Sequence, residues 1–431
     1  MTAPSPARRL ALRVLTKVQR GGDNLAERLA APDVSRLDPR ERAFLHELVL
    51  GTLRLRGLVD HSLTPFFDRP ASRVDPVALD VLRLGAYQLL HLRVPDRAAV
   101  SESVELAKVE VPQAAGFVNA VLRKLAREGP PPVPDPVTDP QGWLTSAGSL
   151  PEWLAKRWCS RLGARDAVAR ARAFTSPAPT ALRLNPRVED AARRCDHAGL
   201  NLRPLRVPGC FAAEGGRLTD LVAEGVLYVQ DQGSQLVAHL AAAAAGLNLD
   251  ACAAPGGKSM LIADLLTEGQ VIAAETSPRR LRAMAALCRR WGSPNIRLVL
   301  ADGHHPPFGE GFDAVLIDAP CTGLGTLGRH PDIRWRVKPD DILRQAERQR
   351  SLLAALAPLV RRGGRVVYAT CSLEDEETTA VVLEFLERNP SYRLAPVPNW
   401  AGPWTGPDGF VRTLPEREPG DGFFAAMLER G

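Results

Sequence analysis

Apolar residues recur at spacings of three and four through residues 6–127, with polar residues between them. This period places the apolar side chains along one face of each helix, so it predicts amphipathic helices. The pairs Asp38-Pro39 and Asp75-Pro76 are typical of helix starts, and Gly21-Gly22 is typical of a helix end. We therefore expect an all-α bundle over residues 1–128, with helices at Ala7–Gln19, Pro39–Leu63, Pro76–Leu92, Ala98–Val109 and Ala114–Ala126.

Six prolines lie within residues 129–142. Proline has no amide donor and fixes φ, so this stretch cannot continue a helix and predicts a stiff linker between domains. Residues 143–228 mix helical and extended patterns, which predicts a small α+β module. Its expected helices are Pro151–Leu162, Asp166–Phe174 and Glu189–Ala198, and its expected strands are Thr180–Asn185, Leu202–Val207 and Val226–Val229.

Residues 229–431 alternate short apolar runs with helical patterns, which is typical of a doubly wound, Rossmann-like α/β domain with a parallel sheet. The segment Asp421–Leu428 predicts an added edge strand. The chain is thus expected to be multidomain. The expected strands are Leu247–Ala251, Gln270–Glu275, Ile296–Ala301, Ala314–Ile317 and Arg365–Ala369, and the expected helices are Gly257–Leu266, Pro278–Trp291, Asp340–Val360 and Glu374–Asn389.

Composition narrows the class of protein. No apolar run approaches the ~18–20 residues that a membrane-spanning helix needs, and no signal peptide begins the chain. The chain has seven cysteines, and the closest two, Cys195 and Cys210, are 15 residues apart, which argues against a zinc site of the CxxC type and against a disulfide framework. We expect a cytoplasmic protein without a metal. The net charge is +6, with an excess of five basic residues in residues 1–128, so a phosphate-rich partner is as plausible as a general enrichment in arginine.

A turn of small residues, Ala253-Ala254-Pro255-Gly256-Gly257-Lys258, follows the first predicted strand of the α/β domain. Small residues let backbone amides approach a ligand at the start of a helix. The turn is not a P-loop, because Cys252 stands where Walker A needs glycine, and it lacks the GxGxxG pattern.

Acidic residues end the next two predicted strands. Glu275 is placed to bond ribose hydroxyls, and Asp302 is placed to hold the exocyclic amine of adenine. A site that can bind ribose and adenine but has no phosphate-binding loop indicates S-adenosyl-L-methionine as the cofactor.

Two cysteines each follow an apolar strand at the end where ligands bind. Cys321 lies in Asp318-Ala319-Pro320-Cys321, and Cys371 lies in Thr370-Cys371-Ser372. A thiolate that adds to C6 of cytosine makes C5 nucleophilic enough to take a methyl group, and a second group must then help to release the product. Asp318 would support the addition through protonation or hydrogen bonding at N3 of the cytosine. The spacing does not say which cysteine attacks, and buried cysteines commonly only pack, as we expect for Cys159, Cys195, Cys210 and Cys288.

Together these segments resemble the RNA cytosine-5 methyltransferases, and the N-terminal bundle is similar to the NusB-like RNA-binding domain. The pairing of the two domains, with Arg329–Trp335, resembles the bacterial Sun/RsmB-type methyltransferases of small-subunit (16S) ribosomal RNA. The resemblance covers nearly the whole chain and is weakest over residues 143–228. It is carried by Asp250–Lys258, Asp318–Gly323 and Tyr368–Ser372.

The resemblance implies a role for each of these residues. Cys371 would attack C6, Cys321 would assist removal of the C5 proton and elimination, and Asp318 would contact the cytosine. DNA cytosine-5 methyltransferases attack instead with the cysteine of the Pro-Cys motif, so the choice of Cys371 rests on the resemblance. Members of the family often have Asp at the position of Glu275, whose longer side chain can still reach ribose. The residues implied to line the cofactor site are Cys252, Ala253, Ala254, Pro255, Gly256, Gly257, Lys258, Glu275, Asp302 and Asp318.

The expected substrate is 16S ribosomal RNA or an assembling small subunit, and the expected state is a monomer. A tRNA cytosine-5 methyltransferase and a non-catalytic RNA-binding assembly factor remain as alternatives. Four basic residues and a tryptophan after Cys321 are placed either to flank the entering base or to form a solvated basic loop; they are Arg329, Arg334, Trp335, Arg336 and Lys338.

Overall fold

The computed structural model describes residues 4–19 and 25–431, so the expected helix end at Gly21-Gly22 lies outside the described residues. The chain forms two compact units. The first contains residues 1–177 and 327–337, and the second contains residues 178–326 and 338–431.

The first unit is helical. Asp38 and Asp75 cap two of its helices: each carboxylate accepts hydrogen bonds from two backbone amides beyond a proline at the first helical turn. The helices bury a shared core of aliphatic side chains. Their bounds are Pro6–Gln19 (α1), Leu25–Leu29 (α2), Pro32–Ser35 (α3), Pro39–Arg54 (α4), Arg56–Leu63 (α5), Pro76–His91 (α6), Asp96–Glu110 (α7), Ala115–Glu128 (α8), Pro140–Thr145 (α9), Glu152–Leu162 (α10) and Ala164–Ala173 (α11), with 3-10 turns at Thr64–Phe66, Ala71–Arg73 and Pro112–Ala114.

The predicted helix Pro39–Leu63 is two helices, because the chain leaves the helical conformation at Leu55. The amide of Gly57 donates to Ser149 Oγ at 2.8 Å, so a distant part of the chain fixes the break. The apolar period continues on both sides of Leu55, and the sequence pattern therefore does not show the interruption.

The helices over residues 140–173 belong to the first unit, whereas the sequence analysis placed residues 143–228 in one module. The reason lies in Trp143, Leu154, Trp158 and Phe174, which are buried within this helical part of the chain. Residues 129–139 contain no helix or strand, in agreement with the prolines there. Residues 327–337, with one helical turn at Ile333–Arg336, also belong to this unit.

The second unit contains a small antiparallel sheet in the order β2-β3-β1-β4. Strand β3 was not predicted, because its sequence contains only one large apolar residue. The strands are Ala181–Leu184 (β1), Leu200–Pro204 (β2), Cys210–Gly215 (β3) and Leu227–Val229 (β4), and the nearby helices are Ala191–His197 (α12) and Leu218–Ala223 (α13).

A larger mixed sheet completes this unit, and it confirms the predicted Rossmann-like domain. Its strands are Ala245–Asp250 (β5), Glu268–Glu275 (β6), Ile296–Leu300 (β7), Phe312–Asp318 (β8), Val360–Thr370 (β9), Tyr392–Leu394 (β10), Val411–Thr413 (β11) and Phe423–Arg430 (β12). Its helices are Gln232–Ala241 (α14), Gly257–Leu265 (α15), Pro278–Trp291 (α16), Pro339–Leu356 (α17) and Thr379–Arg388 (α18), with 3-10 turns at Leu324–Thr326, Ala357–Leu359, Asp375–Glu377 and Asn399–Trp404.

The strand order is β10-β12-β9-β8-β5-β6-β7, with β11 also paired to β12. Strands β5 to β9 are parallel, and β12 is antiparallel to β9. The expectation that β12 is an edge strand was wrong, because β10 and β11 pair with its outer side. The carboxyl ends of the parallel strands therefore meet along one edge, as they must in a doubly wound sheet.

Candidate active site

A cavity of about 370 Å³ opens at the carboxyl ends of the parallel strands, a volume within the range of small-molecule sites. Loops that follow β5, β6, β7, β8 and β9 all contribute to its wall. The structure thus brings together residues that the sequence analysis singled out in separate segments. Those that line the cavity are Cys252, Ala254, Glu275, Asp302, Asp318, Cys321 and Cys371.

Most of the small-residue turn after β5 lies outside the cavity wall. Only Cys252 and Ala254 of the predicted turn line the wall. Gly256 has a φ of 111° and caps α15, and a Cβ there would lie 2.9 Å from Met284 Cγ, so the turn requires glycine. The remaining predicted turn residues, Ala253, Pro255, Gly257 and Lys258, are not part of the cavity wall.

Glu275 ends β6 and is only 4% exposed. Its Oε1 accepts the amide of Ser277 at 2.9 Å, and its Oε2 lies 3.4 Å from the guanidinium of Arg280. Arg280 also donates to the carbonyl of Ala254 at 3.0 Å, so it connects the small-residue turn to the carboxylate. Sequence reasoning missed Arg280, because arginines at a helix start usually point to solvent.

Asp302 follows β7 and lies on the open side of the cavity, with half of its side chain exposed. The amide of His304 donates to its Oδ1 at 3.0 Å, and this hydrogen bond lowers the pKa of the carboxyl below its usual value. Asp302 is therefore a charged acceptor at neutral pH, suited to an amine donor.

The two predicted cysteines meet at the cavity. Cys321 Sγ and Cys371 Sγ are 3.3 Å apart, because β8 and β9 are adjacent parallel strands whose ends are in register. The hydrogen bond to Cys371 raises the pKa of the Cys321 thiol well above its usual value, and burial and nearby carboxylates raise it further. Cys321 therefore keeps its proton at neutral pH.

Asp318 forms an ion pair with Lys258, whose Nζ lies 2.7 Å from its Oδ2. Burial is the largest single effect and lowers the pKa of Lys258, but the charge and hydrogen bond of Asp318, together with the charges of Cys371 and Asp250, raise it above its usual value. The Lys258 ammonium also lies 5.3 Å from the centre of the Phe423 ring. A fixed cation thus lies close to both the acid and the second cysteine.

Comparison with known proteins identifies the family. Residues 237–429 match the family described as 16S rRNA methyltransferase RsmB/F, and residues 5–127 match the NusB family. A putative methyltransferase of Mycobacterium tuberculosis is 40% identical over 91% of this chain and 89% of its own. The ribosomal RNA small subunit methyltransferase B of Thermus thermophilus is 36% identical over 100% of this chain and 99% of its own. The chain belongs to the RsmB/F family of 16S rRNA methyltransferases.

The crystal structure of PH0851 superposes with a TM-score of 0.80 at 24% identity, covering all of both chains, and it shows the same fold. The family establishes that this chain is a ribosomal RNA methyltransferase and that its methyl donor is S-adenosylmethionine. The predicted NusB-like and Rossmann-like regions of the chain are confirmed by the same matches.

Two acids of this methyltransferase were missed by sequence reasoning. Asp250 at the end of β5 is fully buried and accepts a hydrogen bond from Ser259 Oγ at 2.6 Å, and burial raises its pKa to about 6. Glu377 is also fully buried and contacts the residues that follow both cysteines. Glu377 belongs to the acidic run Glu374–Glu377, which in sequence is typical of a solvated helix start.

The remaining cysteine of the turn, Cys252, is nearly enclosed. Burial, followed by the charges of nearby carboxylates, raises the pKa of its thiol far above the usual value. Cys252 therefore remains a neutral thiol on the wall of the cofactor cavity.

Two of the side chains that were expected to flank an entering base, Arg334 and Trp335, form hydrogen bonds inside the first unit instead. Arg334 is fully buried, and its guanidinium donates to four carbonyls, those of Arg54, Ser149, Phe174 and Leu327, at 3.0–3.2 Å. Trp335 Nε1 donates to the carbonyl of Leu53 at 2.7 Å. These two side chains are structural parts of the first unit, because the two terminal nitrogens of the Arg334 guanidinium and the indole nitrogen of Trp335 all donate to backbone carbonyls of that unit. Arg336 is half exposed and pairs with Asp332, and Lys338 is exposed at the start of α17.

Within residues 4–19 and 25–431, no group of three or more His, Cys, Asp or Glu side chains is arranged to hold a metal ion. Over the same ranges, no helix has both the length and the apolar character needed to span a membrane.

Proposed function

We propose that this chain methylates C5 of a cytosine in small-subunit ribosomal RNA through a covalent bond between Cys371 and C6. The observation that carries the proposal is the pair of sulfurs 3.3 Å apart on the wall of the cofactor cavity, beside Asp318. Methyl transfer to a nucleobase nitrogen or a ribose oxygen needs no thiol, whereas transfer to a pyrimidine carbon needs a nucleophile to activate the ring.

The surroundings of the two cysteines support this division of roles. Cys321 keeps its proton in the free protein, so it does not compete as the attacking thiolate. The Lys258 ammonium, held by Asp318, supplies positive charge near Cys371. Attack by Cys371 at C6 forms the S–C6 bond and moves the C5–C6 electron pair to C5, while the thiol proton passes to N3. The Asp318 carboxylate, held by Lys258, supports this step by accepting a hydrogen bond from the protonated N3.

The bound cofactor supplies an electrophilic methyl group, which accepts the electron pair at C5. The C5 proton is then removed, and its electron pair restores the C5–C6 double bond as the S–C6 bond breaks. We assign this release to Cys321, which loses its own proton to solvent and as a thiolate accepts the C5 proton, while the proton on N3 returns to the sulfur of Cys371 as that sulfur leaves C6. Once Cys371 is bonded to C6 it is no longer a free thiol partner for Cys321, so the main cause of the high pKa of Cys321 is removed.

The cavity wall supports the assignment of the cofactor residues. The Glu275 carboxylate suits two ribose hydroxyls, and the charged Asp302 suits the adenine amine. Cys252 and Ala254 would lie against the nucleoside, and Asp318 would lie between cofactor and cytosine. Ala253, Pro255, Gly256 and Gly257 would shape the turn, and Lys258 would fix Asp318.

The test uses Cys321→Ala, which should allow attack and prevent release. The variant is mixed with S-adenosylmethionine and rRNA deproteinised from small subunits, and the products are separated on a denaturing gel. We expect a covalent protein–RNA band that is absent from the Cys321→Ala, Cys371→Ala double variant. Cys195→Ala, which removes a buried thiol elsewhere in the unit, should transfer methyl groups like the wild type and form no stable band.

Two results would contradict the proposal. If wild-type protein yields 5-methylcytosine but Cys321→Ala forms no covalent band, the roles of the two cysteines are wrong. If wild-type protein methylates neither naked rRNA nor intact subunits but methylates tRNA, the substrate is wrong. Cofactor binding without transfer to any RNA would indicate an assembly factor.

A further inference from the structure

The buried carboxylate of Glu377 connects the loops that carry Cys321 and Cys371. Glu377 is 0% exposed and lies in the 3-10 turn after β9. Its Oε1 accepts the backbone amide of Thr322 at 2.8 Å. Its Oε2 accepts the hydroxyl of Ser372 at 2.6 Å and also the hydroxyl of Thr322. Thr322 directly follows Cys321, and Ser372 directly follows Cys371, so one side chain holds the neighbours of both sulfurs.

Gln349 of α17 extends this network to the other side of the Cys321 loop. Its Nε2 donates to Glu377 Oε1 at 3.2 Å and to the carbonyl of Pro320 at 2.9 Å. Tyr368 of β9 donates its hydroxyl to the carbonyl of Glu377 at 2.7 Å, and that hydroxyl also lies 3.1 Å from Gln349 Oε1. The residues on both sides of Cys321 are therefore tied to the same carboxylate.

The hydrogen bonds that Glu377 accepts indicate that its carboxylate fixes the geometry of the surrounding loops. The four side-chain hydrogen bonds described for Glu377 come from neutral donors, and burial raises the pKa of its carboxyl. A buried acid is costly to a fold, and an apolar residue of similar volume is often at least as stable in such a place. A carboxylate can, however, gather several donors around two oxygens and so fix the loops that carry them.

We infer that Glu377 is a positioning residue for methyl transfer: it holds the Cys321 and Cys371 loops so that both sulfurs face the same base. This inference rests on the proposed cytosine-5 chemistry, because only that chemistry needs both sulfurs at one ring. Glu377 lies beneath the cysteines and does not line the cofactor cavity, so its loss should affect the reaction and leave cofactor binding intact.

The test compares Glu377→Gln with Glu387→Gln, which makes the same change at an exposed position of α18. Glutamine keeps the volume of Glu377 but puts an amide donor against the donors of Thr322 and Ser372. We expect kcat to fall about 10- to 100-fold, which is the effect of moving a reacting group by about 1 Å. The KM for S-adenosylmethionine should stay unchanged, and in a Cys321→Ala background the covalent band should form correspondingly more slowly. Glu387→Gln should match the wild type throughout.

The results distinguish failure of the positioning role of Glu377 from failure of the proposed cytosine-5 chemistry. If wild-type protein produces 5-methylcytosine and Glu377→Gln does so at the same rate, the positioning role is overturned while the proposed function stands. If wild-type protein makes no 5-methylcytosine, both fail. If Glu377→Gln does not bind S-adenosylmethionine, Ser372→Ala decides, since it removes one donor and leaves the carboxylate in place. Ser372→Ala at the wild-type rate of band formation would overturn the inference, and a slower rate with normal cofactor binding would support it.

Discussion

Two aspartates near the cofactor turn show how the surroundings of a residue set its charge. Asp250 and Asp302 both follow strands of the parallel sheet. Burial raises the pKa of Asp250 to about 6, whereas a backbone hydrogen bond lowers the pKa of the exposed Asp302. The same side chain therefore keeps its proton to a higher pH in one place and loses it at a lower pH in the other.

This difference predicts opposite pH dependences of stability. The folded state holds a proton on Asp250 that the unfolded state has lost between about pH 4 and 6, so Asp250 weakens the fold as pH rises through that window, by up to about 3 kcal/mol. Asp250→Asn should remove that loss, and its free energy of unfolding relative to wild type should rise from pH 4 to 7.

For Asp302 the sign is reversed, because its folded pKa lies below the unfolded one. Its stabilising effect is present at neutral pH and is lost as pH falls, so Asp302→Asn should be less stable than wild type mainly at neutral pH. Urea unfolding of both variants and of wild type at pH 4.5 and 7 measures these differences. If the free energies of unfolding of both variants, relative to wild type, change with pH in the same direction, the opposite pKa shifts assigned to Asp250 and Asp302 are wrong.

Among the elements of the fold, the end of β9, the Cys321 loop and the start of β12 pack so closely that only glycine fits between them. The amide of Gly325 donates to the carbonyl of Cys371 at 2.9 Å, and its carbonyl accepts the amide of Gly422 at 2.6 Å. A Cβ on Gly325 would lie 2.1 Å from the Gly422 oxygen and 2.8 Å from the Cys371 oxygen. Backbone atoms cannot withdraw like the end of a flexible side chain, so the loop itself would have to move.

Gly325→Ala should therefore displace the loop that carries Cys321 and lower kcat for methyl transfer about 10- to 100-fold. The measurement is transfer of a labelled methyl group from S-adenosylmethionine to rRNA. Gly402→Ala is the matched control, because an added Cβ there meets nothing within 4 Å. Equal rates for the two variants would show that the close approach does not matter to the reaction.

The same elements show what the sequence could predict. Strands β5 to β9 are apolar runs, and residues at the carboxyl ends of parallel strands must share one edge, so seven of the cavity residues could be named in advance: Cys252, Ala254, Glu275, Asp302, Asp318, Cys321 and Cys371. Strand β3 could not be predicted, because Cys210–Gly215 contains only one large apolar residue, Phe211, and so gives a weak strand pattern. The interior position of β12 depends on pairing between distant segments, which no local pattern records.

The buried acids were missed for a related reason. Nothing in Glu374–Glu377 distinguishes the acid that is fully enclosed, because its enclosure is created by Thr322, Gln349 and Ser372 from other parts of the chain. Arg334 was placed near the base from its distance along the chain to Cys321. In the fold its guanidinium turns towards carbonyls of residues more than 150 positions earlier.

At the scale of the whole molecule, the helical unit is built from two separate stretches of chain. Residues 327–337 join residues 1–177, and Arg334 satisfies four buried carbonyls in that unit. Trp335 adds a hydrogen bond and stacks beneath the guanidinium of Arg56, 4.7 Å from the ring centre. The second stretch therefore completes the interior of the first.

Arg334→Met should lower the free energy of unfolding of this unit by about 2–4 kcal/mol. Methionine has similar length but no donor, so it leaves buried carbonyls unsatisfied, although it also removes the cost of burying a charge. Hydrogen–deuterium exchange should increase around Arg54, Ser149 and Phe174. Arg336→Met removes only a half-exposed ion pair with Asp332 and should change stability by less than about 1 kcal/mol. Unchanged exchange in Arg334→Met would contradict this account.

The discontinuity of the helical unit also limits how such genes can recombine. A crossover at the point where the first stretch ends, near Pro177, would join the N-terminal helices of one parent to the 327–337 segment of the other. The hybrid would fold well only if the second parent also supplied an arginine and a tryptophan that fit the first parent's carbonyls. The eleven residues 327–337 thus require that the parts of the gene before and after Pro177 be inherited together.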